Sequence, residues 1–400
     1  MAALLLELGV LFAAVAAVGA LADRLGQSVI PFYIVVGMVL GEFVFGAVGL
    51  PHVSESEVVE VGAELGIVLL LFFLGLEFNL DRLLEKRGQI GTAGTIDLAV
   101  NFGAGLVLGW LVFGAVVPAV LTAGIVYITS SAVITKSLID LGWIANDEAE
   151  AMLGTLVFED LVIAVYLAVT TAVVLGSGSV TAIATDVGIA LGFILGLLAL
   201  VYWGTGLFRR LITTGSDEFV VLRALGLTVL ISGAALALGV SEAVAAFFVG
   251  MAFSSLGHDH VARLEKLLAP LRDTFAAVFF FWIGLVTDPA LFPDVAVLVA
   301  LAVAVTTPTK LFSGYLAGRA FDLDARRSTR VALGMTTRGE FSLIIATVAL
   351  SGAAAGTVPT ELANTINAFA VGYVLVMATL GTTLMQYAGP FEAFAETRRG

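Results

Sequence analysis

Residues 154–166 read Gly154-Thr-Leu-Val-Phe-Glu159-Asp160-Leu-Val-Ile-Ala-Val-Tyr166, two adjacent carboxylates set several residues inside an apolar run that extends over 150–175. A run of that length spans a hydrocarbon layer of about 30 Å. A charge at the centre of such a layer costs about 2.5 kcal/mol or more. Carboxylates persist there mainly where they pair or line a polar pathway. Neighbours on a helix point about 100° apart, so both side chains can face one cavity without meeting one ion equally. Two carboxylates this close resist ionising together, which lets a proton and a cation compete for them near neutral pH.

The rest of the chain supports a membrane setting. Of its 400 residues, 60% are hydrophobic and 13% charged, and the mean hydropathy is +1.06. A soluble domain has roughly 45–50% apolar and about 25% charged residues. The apolar runs are continuous, whereas the strands of a barrel alternate. The expected fold is therefore an all-α polytopic membrane protein. The first run lacks a basic leader and a small-residue cleavage site, so it reads as a retained helix. Cysteine is absent, which excludes disulfides and thiolate metal sites. His258-Asp-His260 sits in a polar connection and reads as a solvated loop rather than a metal site. The formal net charge is −13, and no nucleic-acid partner is expected.

Apolar runs lie at 3–22, 28–49, 58–78, 89–115, 118–136, 150–175, 180–207, 219–240, 242–256, 272–288, 292–318, 331–352 and 364–386, about thirteen spans in all. Of the 19 Lys and Arg, 17 fall on odd-numbered connections or after the last span. They include Arg82, Lys86 and Arg87, then Arg263, Lys266 and Arg272, then Arg319, Arg326, Arg327 and Arg330. The even connections carry none. By the positive-inside rule the odd connections are cytoplasmic, the N-terminus is outside and the C-terminus inside. The setting is then a multi-pass protein of the cell membrane, with lipid as its surroundings. Thirteen divides as six, one, six, and a linker span would turn the second six upside down. Inverted repeats of this kind build many secondary transporters, with sites near the midplane at the repeat interface. Spans four, five and six then pair with eleven, twelve and thirteen.

The two remaining cations, Lys310 and Arg338, fall inside spans eleven and twelve. Lys310 lies in Val305-Thr-Thr-Pro308-Thr-Lys310-Leu-Phe-Ser313, where Pro308 removes a backbone donor and can kink the helix. A buried Lys needs a counter-ion, and Glu159 or Asp160 are the natural candidates. Spans five and twelve carry polar interruptions, Tyr127-Ile-Thr129-Ser130-Ser131-Ala-Val-Ile-Thr135 and Gly334-Met-Thr336-Thr337-Arg338-Gly339-Glu340-Phe-Ser342. Such clusters satisfy backbone groups where a helix unwinds. Unwound carbonyls and half-helix ends then offer oxygens and partial charges to an ion. Thr129 and Ser130 are candidate ion-binding groups, and Arg338 and Glu340 would neutralise the helix ends. Asp97 and Asn101, one turn apart in span four, are candidates for an access path to the site. Glu64, Glu77 and Glu242 read as interfacial or packing groups.

This constellation points to exchange of a monovalent cation for protons, with Asp160 and Glu159 as the ion- and proton-binding groups. An uncoupled channel or leak pathway would use the same acidic site. An intramembrane enzyme does not fit: no nucleophile–base constellation or metal-ligand spacing is visible. No cofactor is expected beyond the transported K+ or Na+ and H+.

The same motifs resemble the cation:proton antiporter-2 family, which includes Kef-type potassium/proton and NapA-type sodium/proton antiporters, over nearly the whole chain. Ala63-Glu-Leu-Gly-Ile-Val-Leu-Leu-Leu-Phe-Phe-Leu-Gly-Leu-Glu77-Phe looks like the family's third helix. Thr129-Ser-Ser-Ala132 and Arg338-Gly-Glu-Phe-Ser342 look like its two crossing broken helices, and Phe158-Glu159-Asp160-Leu161 like its ion-binding pair. The resemblance implies an NhaA/NapA-like fold and makes Asp160 the carboxylate that alternately holds metal cation and proton. It makes Lys310 the family's intramembrane lysine. It implies a homodimer in which a core of spans four to six and eleven to thirteen moves against a scaffold of spans one to three and eight to ten, span seven linking them. Residues 1–386 would form this transmembrane domain and 387–400 a short cytoplasmic tail. The sequence departs at Glu159, where Kef-type members commonly have Gln, electrogenic sodium antiporters Asp and electroneutral ones Asn. Kef-type members often continue into a nucleotide-binding domain, so a regulator here would be a separate cytoplasmic subunit.

Overall fold

The structure, a computed structural model, describes residues 2–77, 86–143, 146–175, 216–238, 242–254, 256 and 258–397, with isolated residues between 188 and 199. The described residues form helices and connections and no strand. In chain order the helices are α1 (Ala2–Arg24), α2 (Val29–Leu40), α3 (Glu57–Glu77) and α4 (Arg87–Phe113). Next come α5 (Val116–Tyr127), α6 (Ser131–Asp140), α7 (Asp147–Leu175), α8 (Asp217–Ala237), α9 (Glu242–Ser254) and α10 (His258–Leu285). The last five are α11 (Phe292–Ala320), α12 (Ala325–Gly334), α13 (Glu340–Ala354), α14 (Thr360–Gln386) and α15 (Ala388–Thr397). Each expected span overlaps at least one of these helices, except that the seventh, 180–207, lies outside the described residues apart from isolated positions. Helix α2 covers only 29–40 of the span read at 28–49. Among the described residues eight helices are long and apolar enough to cross a membrane.

Spans five and twelve are each broken: α5 stops at Tyr127 before α6 begins at Ser131, and α12 stops at Gly334 before α13 begins at Glu340. The pairing by repeat arithmetic therefore joins the two interrupted spans. Three stretches read as connections are helical instead. The segment from His258 to Arg272 is the first part of α10. Arg326, Arg327 and Arg330 lie on α12, whose start is fixed by the Asp324 side chain accepting from the Arg327 backbone N–H at 2.8 Å. Ala388–Thr397, in the expected tail, form α15. In each case a polar or amphipathic helix lies beyond the apolar run, where hydropathy carries no signal for it. Pro308 does not interrupt α11, which runs through it from Phe292 to Ala320.

The chain packs into two units. One comprises Met1–Phe12, Ser54–Arg82 and Ala164–Trp282. Within it α3 crosses α9 at backbone contact. A Cβ at Gly75 would lie 2.0 Å from the Phe247 carbonyl oxygen, and one at Gly250 would lie 2.0 Å from that of Phe72. Small residues at such crossings let membrane helices gain van der Waals contact where lipid gives little hydrophobic drive. Phe72 and Phe253 pack edge to face beside the crossing, their ring centroids 5.7 Å apart.

The other unit comprises Ala13–Val53, Leu83–Ile163 and Ile283–Gly400. It contains α4, α5, α6, the first part of α7, and α11 to α15, together with residues 13–53. Toward the α12 end its helices meet in an apolar cluster built around Ile90, Ile134, Leu138, Met152, Leu156 and Phe321.

Replacing Gly75 with Val should force α3 and α9 apart. The expected loss is about 1–3 kcal/mol, seen as a melting temperature several degrees lower in detergent. An unchanged melting temperature would contradict the close crossing.

Candidate functional site

Both helix breaks leave backbone groups that a bilayer cannot satisfy. In the second unit they satisfy one another and recruit nearby charges. The Ser130 N–H donates to the Thr337 carbonyl at 3.4 Å, so the two breaks touch. Ser130 Oγ accepts from the Val133 N–H at 3.2 Å and caps α6. Gly339 closes the approach from the other break, since a Cβ there would lie 2.5 Å from Ser130 Oγ.

The C-terminal ends of α5 and α12 carry partial negative charge, and Arg338 serves both. Its Nε donates to the Val126 carbonyl at 3.0 Å. Its Nη1 donates to the carbonyls of Met335 and Thr337 at 3.1 and 2.8 Å. Ser342 Oγ donates to the Ile125 carbonyl at 2.7 Å. Arg338 is fully buried. The side chain of Glu340, expected to share this task, lies outside the described residues.

Glu159 meets the opposite pole. Its Oε2 accepts from the Thr129 backbone N–H at 2.7 Å and its Oε1 from Thr129 Oγ1 at 3.0 Å, at the N-terminal approach to α6. Free N–H groups and the dipole at a helix start favour an anion there. Lys310 then joins three elements. Its Nζ donates to Glu159 Oε1 at 3.0 Å, to Thr129 Oγ1 at 3.0 Å and to Asp97 Oδ2 at 2.6 Å. It also lies 5.2 Å from the ring centroid of Tyr127, within cation–π range. Asp97 Oδ1 accepts from Asn101 Nδ2 at 2.9 Å and from Ser313 Oγ at 2.7 Å. The Asn101 Nδ2 also donates to Ser313 Oγ at 2.9 Å. Asp97, Asn101, Glu159 and Lys310 are all 0% exposed, and Asp160, next to Glu159 on α7, is 3% exposed.

Of the expected counter-ions for Lys310, Glu159 is in place. The second is Asp97: it and Asn101, the candidates for an access path, lie inside the ion-pair cluster. The backbone explains the arrangement. Directly after Asp97, α4 widens into one π-helical turn over Leu98–Phe102. Such bulges re-aim side chains and recur at functional sites. The sequence pattern gives Ser313 and Tyr127 no distinct role, although Ser313 stands one turn after Lys310. Several buried atoms here have no protein partner among the described residues: Asn101 Oδ1, Tyr127 Oη, Thr337 Oγ1 and Arg338 Nη2. Buried polar atoms are normally paired, so the oxygens of Asn101, Tyr127 and Thr337 are available to water or a cation. Among the described residues no group of three or more His, Cys, Asp or Glu is arranged to hold a resident metal.

The sequence pattern of the family described as "Sodium/hydrogen exchanger, transmembrane" matches residues 10–387. The chain belongs to that family. It is a cation/proton antiporter rather than an enzyme, and a multi-pass membrane protein. The antiporter is 34% identical to the K(+)/H(+) antiporter subunit KhtU of Bacillus subtilis (strain 168), over 94% of this chain and 92% of that one. It is 32% identical to the ammonium/H(+) antiporter subunit AmhT of Alkalihalophilus pseudofirmus, over 84% and 83% of the two chains. Its fold matches that of the sodium proton antiporter MjNhaP1 from Methanocaldococcus jannaschii with a TM-score of 0.75, covering 96% and 98% of the two chains at 16% identity.

Arg338→Ala would strip partners from the Val126, Met335 and Thr337 carbonyls, each worth about 1–3 kcal/mol when left buried and unpaired. The antiporter should then melt well below the parent in detergent. Arg338→Lys should recover only part of the loss, because an ammonium lacks the planar fork that reaches both ends. Full recovery by Lys would contradict this role.

Proposed function

We propose that the antiporter exchanges K+ or Na+ for H+ by alternating access, and that cation and proton displace each other at the Glu159–Asp160 pair. The observation that carries this reading is the charge count around Lys310. Two buried carboxylates, at 2.6 and 3.0 Å, share one ammonium, and Asp160, next to Glu159 in the chain, is buried as well. Carboxylates outnumber ammonium groups around Lys310, and gathering like charges in a low dielectric is costly. Uptake of a proton or of a monovalent cation relieves it, and the two compete because they relieve the same charge. Thr129 and Ser130 would add oxygens to the cation's shell, while Asp97, itself held by Asn101 and Ser313, shares Lys310 with Glu159.

K+ is the cation to test first, because the B. subtilis relative is named for it. Both bacterial relatives quoted above are named as subunits, which supports a separate regulatory chain on the cytoplasmic side. We read α4, α5, α6 and α11 to α14, which pack in one unit together with residues 13–53, as the moving core of a homodimer. The distribution of Lys and Arg supports an external N-terminus and a cytoplasmic C-terminus.

Asp160→Asn should abolish cation-dependent dequenching of a pH-gradient dye in proteoliposomes with K+, Na+ and Li+ added in turn. Exchange that survives the substitution would refute the assignment of Asp160. In the parent, the apparent KM for the cation should rise as pH falls, by up to about tenfold per unit where competition is complete. A KM independent of pH would separate the two sites.

A further inference from the structure

Pro308 should weaken α11, because it withholds the N–H that would meet the Ala304 carbonyl and its ring crowds the preceding turn. A kink is the usual result. Yet α11 is one helix from Phe292 to Ala320, and Lys310 stands two residues beyond the proline. Ala304, Val305 and Pro308 are exposed, so support for the weak turn has to come from the buried side of the helix.

That support comes from α14. Thr306 Oγ1 and Tyr373 Oη share a hydrogen bond of 2.6 Å, and both residues are 0% exposed. One turn further along α14, Met377 Sδ accepts from Thr307 Oγ1 at 3.9 Å, a weak bond. Within α11, Thr309 Oγ1 donates to the Thr306 carbonyl at 3.1 Å and so spans the proline. The Tyr373 ring is fixed in turn. Phe369, one turn earlier, stacks on it with centroids 5.8 Å apart, and Phe369 and Met377 are both buried. A Cβ at Gly372 would lie 3.2 Å from Val299 Cγ2, so α14 is already close to α11 ahead of the contact.

A buried tyrosine hydroxyl normally finds a partner. Here the partner sits on the turn that carries the proline, and Thr306 lies on the same face as Lys310, one turn before it. A kink of about 20° at Pro308, acting over the length of a lysine side chain, would move its tip by roughly 2 Å. Charged constellations depend on placement to within about 0.5 Å. Lys310 has three partners to reach at once, on Asp97, Thr129 and Glu159.

We propose that Tyr373 is a positioning residue for Lys310: through Thr306 it braces α11 across Pro308 and so fixes where the ammonium meets Asp97 and Glu159. The brace acts on transport through the exchange proposed at Glu159 and Asp160, on which it rests.

Tyr373→Phe keeps the ring and its stacking and removes only the hydroxyl. The apparent KM for K+ or Na+, whichever drives exchange in proteoliposomes, should rise by about threefold or more at fixed pH, because a site that is no longer preorganised must be ordered by its ion. Thr306→Ser retains the bond and should stay close to the parent. Thr306→Val strands the Tyr373 hydroxyl in the interior and should also lower the melting temperature. Joining Thr306→Val to Tyr373→Phe removes both partners, which should restore the melting temperature but not the KM. A contact that serves stability alone would restore both together, and that result would overturn the proposal. So would an unchanged KM in Tyr373→Phe. Asp160→Asn, measured in parallel, separates the two readings. With exchange lost there, an unchanged KM in Tyr373→Phe sinks the brace alone, whereas exchange retained there removes the site and the brace with it.

Discussion

One ammonium shared by two carboxylates in a fully buried pocket is the interaction on which the rest depends. Lys310 holds Asp97 and Glu159 at once, and neither carboxylate can lose it without bearing an uncompensated charge, at a cost of about 3–5 kcal/mol. The trio as a whole carries one more negative group than positive. A pocket of this composition is restless in electrostatic terms. A proton or a cation taken up beside it lowers that excess, and on the proposed reading this is the physical basis for trading one for the other.

The helix breaks make such a pocket tolerable inside a membrane. An unbroken helix offers neither poles nor free backbone groups at mid-depth. Interrupting spans five and twelve exposes both, and the protein sorts charges to the poles they suit. Arg338 gathers the carbonyl ends of α5 and α12, while Glu159 takes the free N–H of Thr129 before α6. The π turn after Asp97 brings a third element to the same point. Each device places a charge that would otherwise be prohibitive.

Much of this was legible in the residues. Continuous apolar runs located the spans, because length and hydropathy alone decide what crosses a bilayer. The clusters around Thr129 and Arg338 marked the breaks, because polar residues in a span need a backbone reason. The counter-ion of Lys310 was only half legible. Glu159 was named, but Asp97 lies 213 residues away in sequence, and no local pattern pairs them. The π turn left no signal, since its residues Leu-Ala-Val-Asn-Phe suit an ordinary helix. The starts of α10 and α12 and the whole of α15 were hidden because their polar faces lower the hydropathy on which span detection rests. The Asp324 cap and the aromatics at 387, 391 and 394 were the signals that would have revealed α12 and α15.

The central claim is that proton and cation occupy one site by turns, and proton release tests it most directly. Purified antiporter is held in a weakly buffered solution slightly below neutral pH, and K+ is added in excess. The account predicts acidification that saturates with K+ and follows the amount of protein. Binding of K+ without any release of protons would contradict it.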